Sequence, residues 1–336
     1  MADVSQIPIV VTAADGGFAM QLATMAASIA ANTTGSFRLF VLDGGIGEAD
    51  KRRVRESCPS DQVELVFLHP DTQRVKGLKT NRHITESTYF RLEIGELLPL
   101  EIEKIIYLDA DLIVLGDIRE LWSCQLNSHH LLAVEDFSCP RMDAATLENF
   151  PANSAYLTCQ HPVKLYKKFG IPGSAKYFNA GVLVLDLVKW RRDAIGETVL
   201  RYLRDHDEHV RFVDQDGLNV VLWDKWADLA PSWNQMPHIY RFPSWKHSPF
   251  DKATFNQVRR YPKIVHFLGG GKPWCKDQMH PYRPDYFWYL DKTAWAGWGT
   301  GLRREWPMRW PGLWDTLRRI KRTSELLKRP RGSRTP

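Results

Sequence analysis

A chain of 336 residues with 44% apolar and 25% charged side chains can bury one large core, or one core plus an appendage, and reads as a soluble globular protein rather than a disordered or fibrous one. Its net charge of +6 is unevenly spread: residues 295–336 hold eleven Lys/Arg against three Asp/Glu, leaving 34 against 36 in residues 1–294, so the basicity belongs to the tail. The five cysteines are odd in number and scattered with no C-x-x-C pair, which argues for reduced thiols in a cytosolic compartment and against a disulfide framework or structural zinc.

The N-terminal MADVSQIPIVV lacks a basic region and passes directly into an apolar strand, so no signal peptide is expected. No apolar run approaches the roughly 20 residues needed to cross a bilayer. Strand-like runs follow at 7–13, 37–42, 63–68 and 104–108, with helical patterns from Phe18 to Ala31 and from Glu48 to Ser57 between them. This alternation predicts repeated β-α units around a parallel sheet, and such sheets bind ligands beyond the carboxyl ends of their strands. Two of those ends carry acids: Asp15 in TAADGG, and Asp109 and Asp111 in IIYLDADLIV.

Residues 137–176 mix Pro, Asn, Gly and aromatics and read as a long loop or helical excursion over the sheet's edge. YFNAGVLVLDLVKWR (177–191) restores a strand followed by a helix, and VDQDGLNVVL (213–222) reads as an acidic turn opening a helix.

In an extended segment residues i and i+2 point the same way, so Asp109 and Asp111 are expected to project two carboxylates to one side. Burying both without compensation is very unfavourable, and a divalent cation relieves the repulsion. Hard oxygen ligands suit Mg²⁺ or Mn²⁺, which commonly add substrate phosphates to one or two protein carboxylates. A lone D-x-D is equally often a pair of solvated turn acids. It also occurs in phosphohydrolases of the haloacid dehalogenase type, although that scheme usually has Thr or Val where this chain has Ile113 and does not account for HFLGGGKPW.

The blocks KIIYLDADLIV, YFNAGVLVLDLVKWR, VDQDGLN and HFLGGGKPW, in this order, resemble the signature blocks of the retaining glycosyltransferases of family eight, the group that includes bacterial lipooligosaccharide galactosyltransferases. TAAD and NRHITESTYFRLEIGE (81–96) match as well, so the resemblance covers about residues 7–275. It implies an α/β fold of the GT-A type, Rossmann-like with a mixed central sheet, over residues 1–281; the composition beyond that point marks a small basic, Trp-rich helical tail over 282–336.

The same resemblance assigns roles. Asp109, Asp111 and His266 would bind Mn²⁺, with Mg²⁺ as the alternative, and a nitrogen ligand beside two carboxylates suits Mn²⁺. Lys272 in GGGKPW would contact the diphosphate of a UDP-hexose donor. Asp15 would hold the uracil and ribose end, and Phe18 would stack on the base; Gly16 and Gly17 stand where some members have Asp-Asn. Arg91 would reach the donor, Asp136 and Asn179 the sugar, and Ala110 belongs to the same donor-binding set. Asp214 and Gln215 would sit against the anomeric carbon. Gln215 is a poor nucleophile, which points to front-face substitution, while a carboxylate nucleophile, Asp214 or Asp216, stays open. His83 resembles an acceptor-side residue, and Gly269 fits that side as well as the donor set.

Beyond Pro281 the composition shifts to Trp and Arg. Pro311 can open a helix to about Lys328 in which Leu313, Leu317, Ile320 and Leu327 form an apolar stripe opposite Arg318, Arg319, Lys321 and Arg322. Tryptophans above a basic amphipathic helix predict attachment to an anionic membrane surface; a helix packed on the catalytic domain and a nucleic-acid contact are the other readings, and no nucleic-acid partner is expected. The expected activity is metal-dependent, retaining transfer of galactose or glucose from UDP-hexose to a saccharide or glycolipid acceptor, in the cytoplasm at the inner face of the membrane. The competing non-enzymatic reading is a sugar-nucleotide-binding module without turnover.

Overall fold

The computed structural model describes residues 7–80, 85–150, 152–269, 272–275 and 280–299. His83, the basic tail helix expected from Pro311 onward and the rest of residues 300–336 lie outside the described residues. Nine strands occur among those described: β1 (Ile9–Ala14), β2 (Phe37–Asp43), β3 (Val63–Leu68), β4 (Lys104–Leu108), β5 (Leu112–Val114), β6 (Leu131–Glu135), β7 (Phe178–Asp186), β8 (Trp226–Asp228) and β9 (Ile264–His266). Seven form one sheet in the order β3-β2-β1-β4-β7-β6-β8, while β5 and β9 form a separate antiparallel pair.

The pairings β1/β2, β2/β3, β1/β4 and β6/β8 are parallel, whereas β7 runs antiparallel to both β4 and β6. The sheet is therefore mixed. Sequence order proceeds outward from β1 to β2 and β3 on one side and resumes with β4 on the other, so the crevice of an open α/β sheet opens beyond the carboxyl ends of β1 and β4. Asp15 and the D-A-D segment follow those two strands.

Two apolar layers enclose the sheet. One contains the helices Ala19–Asn32 and Arg283–Leu290 and the β5/β9 pair; the other contains the 3-10 segment Glu86–Glu93 and the helices Ile195–Asp205 and Val213–Val221. The helix Ala19–Asn32 is rich in alanine and buried on nearly all faces, so its polar side chains must find internal partners. Ser28 Oγ accepts from Val114 N at 2.8 Å, and Asn32 Nδ2 donates to Val114 O at 2.9 Å, which fixes the end of β5. Residues past 281 share this layer: Tyr286, Tyr289 and Leu290 are fully buried, and the Arg53 guanidinium lies 3.9 Å over the Trp295 ring.

The 137–176 excursion joins the neighbouring strands β6 and β7. The helical elements among its described residues are short 3-10 turns, at Ala144–Thr146 and Ser154–Tyr156, over its own apolar cluster that includes Met142, Val163, Tyr166 and Ile171.

Candidate active site

Asp109 and Asp111 do not lie on an extended strand, as the alternation argument expects: β4 ends at Leu108, and Ala110 and Asp111 form a turn into β5. The carboxylates converge because this turn is pinned at both sides, by Asp109 N donating to Gly181 O (2.9 Å) and Phe267 N donating to Asp111 O (3.0 Å). The register of β5 against β9 sets Leu112 opposite His266 and so carries the imidazole to the turn. Single ligand-capable atoms of Asp109, Asp111 and His266 lie within 4.8 Å of one another.

Each carboxylate has a cationic neighbour. Asp109 Oδ1 accepts from Arg91 Nη2 at 2.8 Å, and Asp111 Oδ2 is paired with the Lys272 ammonium. Burial alone would raise the Asp111 carboxyl, but Lys272 and His266 hold it well below the usual carboxylate range, so it stays ionised. His266 Nε2 lies 3.0 Å from Asp111 Oδ1 and 3.6 Å from Asp109 Oδ2.

The proton on His266 can be placed by following hydrogen bonds outward from a backbone donor. Gly181 N–H donates to Asn179 Oδ1 at 3.1 Å, which identifies that atom as oxygen. Asn234 Nδ2 must then be the donor to the same oxygen at 2.9 Å, leaving Asn234 Oδ1 to accept from His266 Nδ1 at 2.9 Å. Nδ1 therefore carries a proton, and Nε2 faces two carboxylates. A bare lone pair there would face oxygen lone pairs, so the arrangement calls for positive charge between them, either a proton on Nε2 or a metal ion. Two carboxylates and one oriented imidazole fit a manganese-type ion.

Gly181 leaves room for this centre. A Cβ there would lie 2.1 Å from His266 Cε1 and 2.7 Å from Asp109 Oδ2, so any larger residue would displace the imidazole. Gly196 acts similarly behind Arg91: a Cβ would meet Leu92 O at 1.9 Å, and its absence lets the helix Ile195–Asp205 close on the Glu86–Glu93 segment.

Arg91 is 5% exposed and is therefore not a surface ion pair. It donates to Thr88 O and Ala180 O (3.1 and 2.6 Å) as well as to Asp109 and rests 4.5 Å over the Tyr107 ring. Asp214 Oδ2 lies 3.0 Å from Arg91 Nε, but that N–H is aligned on Thr88 O, so the contact is electrostatic and the oxygen has no aligned hydrogen bond. Burial pushes the Asp214 carboxyl up to about 6, against the pull of Arg91 and with the help of Asp109.

A second polar cluster lies beside β7. Asn179 Nδ2 donates to Asp136 Oδ2 (3.1 Å) and Gln215 Oε1 (3.0 Å); Gln215 Oε1 also accepts from Ala180 N (3.0 Å), and Gln215 Nε2 approaches Asp136 Oδ2 at 3.3 Å. Asp136 also holds its own turn, its Oδ1 accepting from Ser138 N and Cys139 N. Asn179 itself lies in β7. Val213 has φ of +46°, a strained conformation for a β-branched residue that costs on the order of 1–3 kcal/mol. Asp216 helps impose it: Oδ2 accepts from Arg211 N (2.6 Å) and Phe212 N (2.9 Å), and Oδ1 from Tyr177 OH (2.6 Å). Both oxygens of Asp216 are thus engaged, which gives it the role of turn holder and not of nucleophile.

At the other end of the crevice Asp15 caps the turn Gly16–Phe18, accepting from Gly17 N (2.9 Å) and from Thr85 Oγ1 (2.7 Å). Phe18 meets Trp274 edge to face at 6.1 Å. A cleft of about 360 Å³ opens beside this turn, lined by Gly16, Gly17, Gln21, Trp274, Trp295 and Trp298 among others; the carboxylate pair is not part of its lining. Ala110 is buried in the D-A-D turn, and Gly269 takes φ of +69° in the turn after β9.

Sequence reasoning missed Asn234. PSWNQMPH offers no spacing signal; only the parallel bridge between Gln235 and Val265 places the asparagine behind His266.

The sequence profile of glycosyl transferase family 8 matches residues 9–278. General stress protein A of Bacillus subtilis (strain 168) is 33% identical over 85% of this chain and 94% of its own. Lipopolysaccharide 1,2-glucosyltransferase of Escherichia coli (strain K12) is 25% identical over 73% of this chain and 65% of its own. Among solved structures, that of the galactosyltransferase LgtC in complex with donor and acceptor sugar analogues superposes with a TM-score of 0.70 at 26% identity, covering 85% of this chain and 96% of that one. With its mixed α/β sheet, its ordered blocks and a profile match over most of its length, the chain belongs to glycosyltransferase family 8.

Proposed function

We propose that this chain transfers a hexose, galactose or glucose, from UDP-hexose to a saccharide hydroxyl with retention of configuration, using a divalent cation. The observation that carries this reading is the oriented imidazole of His266, whose Nε2 faces Asp109 and Asp111 where positive charge is required. These three residues would hold Mn²⁺, or Mg²⁺ as the alternative. When bound, the cation offsets the charge that develops on the departing diphosphate.

Lys272 supplies a second positive charge to the diphosphate, and Arg91 fixes the Asp109 carboxylate from behind. Asp15, Phe18 and Ala110 are assigned to the nucleotide, and Asp136 and Asn179 to the sugar. Gln215 supports front-face substitution, because its Oε1 already accepts two hydrogen bonds and its amide is held between Asn179 and Asp136. Asp214 lies buried behind Arg91, and Asp216 is buried and fully bonded, so neither presents an accessible carboxylate. In that route the bond from the anomeric carbon to the diphosphate breaks, the bond to the acceptor oxygen forms on the same face, and the acceptor proton passes to a diphosphate oxygen.

Similarity to a lipopolysaccharide glucosyltransferase and to LgtC favours an acceptor in lipopolysaccharide, lipooligosaccharide or a related surface glycan, with His83 and Gly269 on the acceptor side. No described helix is long and apolar enough to cross a membrane. Within the 282–336 tail, the stretch beyond residue 299, with Trp306, Trp310, Trp314 and eleven Lys/Arg, is assigned to peripheral attachment at an anionic membrane surface on the cytoplasmic side. Removing residues 303–336 then releases the protein from anionic vesicles while sparing transfer to a soluble acceptor.

Slow hydrolysis of a UDP-sugar panel with Mn²⁺, Mg²⁺ or chelator tests the core of the reading without a known acceptor. UDP-galactose or UDP-glucose should be consumed with Mn²⁺ and spared with chelator. Donor binding without hydrolysis or transfer would favour a binding module, and chelator-resistant turnover would remove the metal from the scheme.

A further inference from the structure

Cys139 and Cys159 lie 20 residues apart in sequence, yet their Sγ atoms are 2.9 Å apart, with both thiols free and almost fully buried. A disulfide bond is about 2.05 Å long, so roughly 1 Å of travel separates this contact from a bond. The backbone already joins the two segments, because Thr158 N donates to Ser138 O at 2.9 Å. The scattered spacing of the cysteines gave no hint of this pairing.

We propose that Cys139 and Cys159 form a reversible, peroxide-driven disulfide that staples the 137–176 excursion at the base of the Asp136 turn. The excursion has little regular structure of its own, so a cross-link there removes freedom that the reduced chain retains. Its position matters because Cys139 N donates to Asp136 Oδ1 at 3.2 Å, beside the cluster of Asn179 and Gln215.

The two sulfurs are not equivalent. Cys139 stabilises a thiolate on Cys159 by hydrogen bonding and Arg211 adds positive charge, which lowers the Cys159 thiol despite its burial; the same bond and burial raise that of Cys139. The Cys159 thiolate attacks one oxygen of hydrogen peroxide, the O–O bond breaks, and hydroxide leaves to take up a proton as water. Cys139 then gives up its proton and attacks the resulting sulfenic sulfur, expelling the second oxygen as water. Two thiols lose two electrons, and one peroxide becomes two waters. A small dithiol reductant reverses the change.

The test uses the full chain carrying Cys275→Ser, which removes the exposed thiol and leaves four of the five cysteines. After brief peroxide treatment, thiols titrated under denaturing conditions should fall from four to two, and a non-reducing peptide map should join Cys139 to Cys159. The oxidised protein should melt at a higher temperature, reduction should reverse the shift, and the added Cys159→Ser change should abolish it. Four remaining thiols, a link between other cysteines, or a melting shift that persists in Cys159→Ser would overturn the proposal. None of these readouts depends on glycosyl transfer.

Discussion

The two polar clusters beside β7 are built from different materials. Around Asp109 and Asp111 every neighbour that matters carries or can carry charge: Arg91, Lys272 and His266. Around Asp136 the donors are neutral, namely Asn179, Gln215 and the Ser138 and Cys139 amides. A charged cluster can exchange partners when an anionic ligand and a cation arrive, because Coulomb attraction is strong at short range and tolerant of direction. Neutral amide bonds are directional and suit the hydroxyls of a sugar. Asn179 and Asn234 join the two, so the geometry of the neutral cluster sets the orientation of the metal-facing imidazole.

Breaking the charged side should have the largest effect. Asp109→Ala or Asp111→Ala is expected to abolish cation-dependent donor hydrolysis, a loss in kcat/KM of at least about 10³-fold or ~4 kcal/mol, with unchanged circular dichroism. Next comes the joint between the clusters. Asn234→Ala removes the acceptor for His266 Nδ1–H and should weaken Mn²⁺ binding about 10- to 100-fold by titration, while Asn234→Asp, which keeps that acceptor but sets a second oxygen against Asn179 Oδ1, recovers only part of it. Lys272→Ala should raise the donor KM about tenfold, ~1.4 kcal/mol, because one point charge is lost while the ligand set remains.

The smallest effect is on stability and concerns Asp214. Burial gives its carboxyl a higher proton affinity in the folded chain than in the unfolded one, up to about 6 from 3.8. The resulting stabilisation is fully present below the lower value and is lost as pH rises through the higher one. Asp214→Asn should remove this dependence, so the melting temperature of the variant minus that of the native chain should climb from about pH 4 to about pH 6 and level off above that. A flat difference would show that Arg91 fully compensates the buried carboxylate.

Much of the frame was legible in the sequence because apolar periodicity is local. The strands β1 to β4 and the two helices between them fall within two residues of their expected positions. The acidic pair and His266 were legible through motif order. Their convergence was not legible: a turn pinned by Gly181 and Phe267 brings the carboxylates together, and strand alternation does not. Asn234, Gly181 and Gly196 act through contacts 32 to 104 residues away in sequence, which no window on the chain can see. Asp216 could not be told from its neighbour Asp214 by type or spacing; only the three donors that surround it separate a turn holder from a buried, underbonded acid.

Titrating Mn²⁺ into the intact protein with UDP present, followed by electron paramagnetic resonance, tests the metal-facing imidazole most directly. One tightly bound ion per chain is expected, with affinity lower by at least about tenfold in His266→Ala. Equal affinity in the two proteins, or no bound ion in either, would contradict a cation centre built on His266 and the paired carboxylates.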